Sequence, residues 1–72
     1  MKEIKNYIKN VAKRNNVKIY LKDIISVKKV YHHSNVGAFV NNWFTYTAVL
    51  NDKVVSFVSD GYSVESFNVE EL

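Results

Sequence analysis

An α+β domain is what the residue pattern implies: one N-terminal amphipathic helix packed on an antiparallel β-sheet of four or five strands, ending in a three-stranded meander. Apolar residues recur at helical spacing only in the first fifteen positions, two-residue alternation takes over from Val17, and two turn-forming dipeptides cut the C-terminal half into strand-length runs.

The helix comes first. At about 100° per residue, Ile4, Tyr7, Ile8, Val11 and Ala12 share an arc of roughly 140°, the width of a buried helical stripe. Asn15 and Asn16 follow, and asparagine tolerates the left-handed backbone that ends helices, so the chain is expected to turn there. Val17, Ile19 and Leu21 then alternate with Lys18, Tyr20 and Lys22, which predicts a first, half-buried strand. Residues 24–31 fit either a strand or a short helix capped by Asp23, and their β-branched content favours the strand. Residues 34–42 contain Gly37 and three asparagines and read as a loop, with Phe39 dipping into the core.

The meander rests on Asn51-Asp52 and Asp60-Gly61, each suited to a two-residue hairpin turn. Pairing 50 with 53 and 59 with 62 gives two registers that agree. They place Phe44, Tyr46, Ala48, Leu50, Val55, Phe57, Tyr62 and Val64 on a core face. The opposite face then carries Trp43, Val49, Val54 and Phe67 among polar neighbours. Val49, Val54 and Phe67 stand side by side there: either the strands from Val17 to Tyr31 curl over them, or they form an apolar patch that is an interface.

Seventy-two residues without cysteine, proline, internal repeat or low-complexity tract are expected to make a single domain, residues 1–72. A hydrophobic share of 47% is enough apolar surface to offset chain entropy, so the chain is expected to fold. A domain this small buries only about 60% of its unfolded surface, which makes a deep, dry active site hard to build. No window reaches the ~20 apolar residues of a membrane span, and the expected location is cytoplasmic.

Charge is divided along the chain. Residues 1–29 hold nine basic and two acidic side chains, a balance of +7. Residues 30–72 hold Lys53 against five carboxylates, a balance of −4, which together give the net +3. Lys2, Lys5, Lys9 and Lys13 line one helical face beside the apolar stripe. Like charges four residues apart oppose a helix by about 0.2–0.5 kcal/mol per pair, a cost offset if something anionic lies opposite. A lysine face that merely solvates the helix explains the same pattern. Tyr20, between Lys18 and Lys22, is the ring best placed in a basic surface.

Reactive chemistry is poorly represented. Adjacent strand residues point to opposite faces, so His32 and His33 do not converge on a metal, and no cysteine or third histidine completes a tetrahedral site. With only Gly37 and Gly61, no glycine-rich phosphate loop can form. Asp52 and Asp60 sit in turns, where capping local backbone is their commoner duty. No cofactor, metal or catalytic residue is expected.

The function these readings favour is a small non-enzymatic binding protein that docks on a host protein or protein–nucleic acid complex as an inhibitor. Phages and mobile elements encode such proteins, and an anti-defence, anti-CRISPR-like role is one concrete form. The expected contact residues are Lys5, Lys9, Lys13, Lys18, Tyr20 and Lys22, with Trp43, Val49, Val54 and Phe67 as a second candidate interface. The alternatives are direct nucleic-acid binding through the same basic surface, and a homodimer or accessory subunit of a larger assembly.

Overall fold

Helix α1 spans Lys2–Arg14 and buries the stripe that its sequence spacing marks: Ile8, Val11 and Ala12 are inaccessible to solvent, with Ile4 and Tyr7 packed beside them. The computed structural model describes residues 2–32 and 43–72. The expected loop at 34–42, with Gly37 and Phe39, lies outside the described residues, as does His33.

The helix stops where two asparagines occur. Asn16 adopts a left-handed φ of 62°, the Asn16 amide donates to the Lys13 carbonyl (3.1 Å), and the Val17 amide donates to the Ala12 carbonyl (2.9 Å). This is the paired bonding of a Schellman end, which satisfies carbonyls that the helix leaves open. The Asn15 side-chain amide donates to the carbonyl of Val11.

The segment after the turn corrects the first expected strand. Residues 17–20 join no β-ladder, although the Tyr20 backbone is extended, and Leu21–Asp23 forms one turn of 3-10 helix, closed by the Asp23 amide on the Tyr20 carbonyl. The alternation is nevertheless real: Ile19 is buried in the core and Val17 packs against it, while Lys18, Tyr20 and Lys22 face outward. A two-residue period reports one-sided burial of extended chain, and that burial does not require strand pairing.

Four strands follow, β1 (Ile24–His32), β2 (Trp43–Leu50), β3 (Lys53–Ser59) and β4 (Val64–Glu71), in spatial order β1-β2-β3-β4, each antiparallel to its neighbour. Residues 24–31 are therefore strand. The β2–β3 register, with Val49 opposite Val54, is the one that the Asn51-Asp52 turn implies. The core lies between α1 and one face of the sheet and contains Ile8, Val11, Ala12, Ile19, Ile24, Tyr46, Ala48, Leu50, Val55 and Phe57. Tyr46 stacks on Phe57 across the strands (centroids 5.1 Å apart), and Tyr7 meets both rings edge-on. Burying a side chain such as Phe57 or Leu50 completely contributes about 1.5–3 kcal/mol.

The β3–β4 connection differs from the expected two-residue turn. Ser59 pairs with Val64 rather than Tyr62, so residues 60–63 form the loop. The Asp60 carboxylate accepts the amides of Tyr62 (2.8 Å) and Ser63 (2.7 Å), and the buried Ser59 hydroxyl accepts the Gly61 amide (3.0 Å) while bonding the Tyr7 hydroxyl. Gly61 takes a φ of 99°, which a side chain would resist. Four polar contacts thus win over the shorter turn, and Tyr62, expected in the core, is 94% exposed.

A second correction lies in β4. Val58 pairs with Glu65 but Ser56 pairs with Asn68, so one extra residue is accommodated between them, and Ser66 adopts a left-handed φ of 56°. This β-bulge returns the strand to its original facing after an odd step. Val64, Phe67 and Val69 therefore all pack toward the core, with Phe67 stacked near Phe57 (6.3 Å). Phe67, expected on the opposite face, belongs to the core side. A corresponding shift at Ile25 interrupts β1, leaving Ile25 64% exposed.

Candidate functional site

The Schellman turn sends residues 17–20 back beside the last two turns of α1, and the two segments enclose an open groove of about 510 Å³. Its lining is Lys9, Lys13, Asn16, Val17, Lys18, Ile19 and Tyr20. Its chemistry follows from the two periods that meet there. The helical repeat puts Lys9 and Lys13 on one rim, and the extended repeat puts Lys18 and Tyr20 on the other with Val17 and Ile19 turned inward.

Tyr20 organises the second rim. The residue is 47% exposed, the Lys18 ammonium stands 5.4 Å from the ring centroid, and Lys22 reaches the same ring from the 3-10 turn at 5.8 Å. An ammonium over an aromatic face gains about 0.5–1 kcal/mol at exposed sites, which limits the freedom of two otherwise mobile side chains. No carboxylate lines the groove, and among the described residues none of Lys9, Lys13, Lys18 or Lys22 is ion-paired; Lys53 pairs instead with its neighbour Asp52 (3.6 Å). The helix C-terminus adds a partial negative charge that favours Lys13 and Arg14 in the last turn.

Five of the six expected contact residues are thus gathered: Lys9, Lys13, Lys18 and Tyr20 in the groove, and Lys22 against its ring. Lys5 is half-buried nearer the helix start and does not line it. Asn16, Val17 and Ile19 complete the lining and are not among the expected contact residues. The signal for them was the helix stop itself, since a sharp reversal after a basic helix must appose whatever follows to the lysine row.

The second expected interface is divided. Trp43, Val49 and Val54 lie on the sheet face away from α1, whereas Phe67 is on the core side. No described segment crosses that outer face: Val17 and Ile19 pack on the helix side, and residues 24–32 extend the sheet as β1. The backbone of His32 pairs with Trp43 at the end of β1.

No helix among the described residues is long and apolar enough to cross a membrane. The Asp60 carboxylate is held below its ordinary range by the amides of Ser63 and Tyr62. That is chemistry of the loop between β3 and β4, and Asp60 is not among the residues that line the groove. No family model, curated protein or solved structure matches the chain.

Proposed function

We propose that this chain is a non-enzymatic docking protein whose basic groove grips an acidic surface on another macromolecule and blocks it. The observation that carries this reading is the convergence of Lys9, Lys13, Lys18 and Tyr20 on one groove that contains no carboxylate. Four uncompensated ammonium groups, counting Lys22, raise the local potential enough to speed encounter with an anionic partner and to reject a cationic one. An inhibitor of the kind phages and mobile elements encode against host machinery, anti-CRISPR-like in its broad form, suits a small domain with one such groove.

The partner favoured is a carboxylate-rich protein surface. Lys18 and Lys22 already occupy positions against the Tyr20 ring, where a nucleic-acid base would have to stack, so the groove is better furnished for point charges than for bases. Direct nucleic-acid binding is the second reading, supported by the same cations, and its mark is an affinity that falls steeply with salt.

The test begins with co-purification from host lysate and identification of the bound species by mass spectrometry. That species is then titrated with the wild-type chain and with a Lys9→Ser/Lys13→Ser/Lys18→Ser variant. None of the three belongs to the core, so the variant keeps its circular dichroism, and affinity is expected to fall at least about tenfold. Equal affinity for the variant removes the groove as the site.

A further inference from the structure

We infer that the sheet face opposite α1 is a self-association surface, and that its occupant is a second copy of this chain. The registers place its side chains on a grid. One row across β1, β2, β3 and β4 is Val30, Thr45, Val58, Glu65; the next is Lys28, Thr47, Ser56, Asn68; the third is Ser26, Val49, Val54, Glu70. The two central strands thus present a β-branched, hydroxyl-bearing ridge. The cationic residue of the face sits on one margin and both carboxylates sit on the other.

A closed dimer needs a two-fold axis, and two such axes can stack this face upon itself. An axis perpendicular to the strands lays β1 over β1 and β4 over β4, which sets Lys28 against Lys28 and carboxylate against carboxylate. An axis along the strands lays β1 over the partner's β4. Each Lys28 then falls opposite Asn68 between Glu65 and Glu70, while Val49 meets Val54. Only the second arrangement pairs opposite charges, at both margins at once, around a centre of valine and hydroxyl side chains. It is also the aligned packing that sheet sandwiches adopt, about 10 Å apart with strands within ~30°.

Size sets the strength. Four strands at ~4.8 Å and three rows at ~7 Å give a footprint of roughly 400 Å² per copy, about half of what each partner buries in a standard specific interface. The dimer is therefore weak and concentration-dependent, and its charged margins make it salt-sensitive.

Sedimentation equilibrium of the full chain over a range from micromolar to about millimolar tests the inference, with circular dichroism confirming folding of each variant. Wild type is expected to shift from monomer to dimer. Lys28→Glu alone, and Glu65→Lys/Glu70→Lys alone, should each weaken the dimer about tenfold or more, and the triple variant should recover most of the loss, because the reversed charges again face opposite signs. A wild-type chain that stays monomeric throughout overturns the inference. So does a dimer indifferent to Lys28→Glu, or a triple variant no better than its parents.

Discussion

Asp60 shows how one side chain decides a loop. Its carboxylate accepts two backbone amides, which replaces the compact turn expected from Asp60-Gly61 with a four-residue loop and pushes Tyr62 into solvent. Because those amides favour the ionised form, the folded-state pKa lies below the ordinary value of 3.8. The linkage has a definite sign: the stabilisation is complete above that value and is lost as pH falls below it through the lowered folded value. Thermal melts at about pH 7 and about pH 2.5 should show wild type losing more stability on acidification than Asp60→Ala, which is already weaker at neutral pH. Parallel losses in the two proteins would mean that the loop does not depend on the carboxylate. Lys29 is a related case of a residue whose role only coordinates display. It faces the helix side of the sheet, yet its ammonium rests 4.3 Å from the Phe44 centroid and 5.5 Å from that of Tyr46, so the cation sits against aromatic rings where a hydrophobe would be expected.

Strand β4 makes a sharper claim. Val64, Phe67 and Val69 reach the core at steps of three and then two, and Ser66 takes up the odd residue. Deleting Ser66 leaves Val-Glu-Phe-Asn-Val, a regular alternation with every side chain on its present face. It also removes a left-handed serine, a conformation that disfavours a non-glycine residue by about 1–2 kcal/mol. The Ser66 deletion should therefore fold with a melting temperature at or above wild type, whereas deletion of Asn68 turns Val69 outward and should destabilise by about 1–3 kcal/mol. Similar melting temperatures for the two deletions would sink the bulge argument. The same strand shows where sequence is legible. The helix stripe, the Asn16 stop, β2, β3 and their connecting register could be read directly because burial there follows one unbroken period. Strand β4 could not be placed by assuming constant alternation, although the apolar spacing 64, 67, 69 carried the clue. The 17–20 segment misled in the other direction, since its alternation records packing under α1 without a ladder. The groove was half legible: its cations stand out in the sequence, but their convergence depends on a chain reversal whose direction the sequence leaves open.

The uneven charge along the chain becomes an uneven charge in space, because strand order carries it over: β1 with Lys28 and Lys29 forms one margin and β4 with Glu65, Glu70 and Glu71 the other. The margins stand ~14 Å apart, beyond the Debye length of ~8 Å at physiological salt, so each acts on its own surroundings. The groove lies on the helix side and the proposed self-association face on the other. Variants in the two regions should accordingly be additive: Lys28→Glu leaves partner affinity within about twofold, and Lys9→Ser/Lys13→Ser/Lys18→Ser leaves the sedimentation profile within about twofold, as independent sites do. Cross-effects larger than that, measured by the same titrations, would show that the two surfaces share an occupant. The irregular steps at Ile25 and Ser66 have one more effect, since they fall on the two outermost strands. A kinked, charged selvedge offers a poor template for an incoming ribbon. Crowding such molecules should consequently yield discrete pairs that stop growing, and the tidier chain lacking Ser66, however well it melts, should be the one that spins fibres.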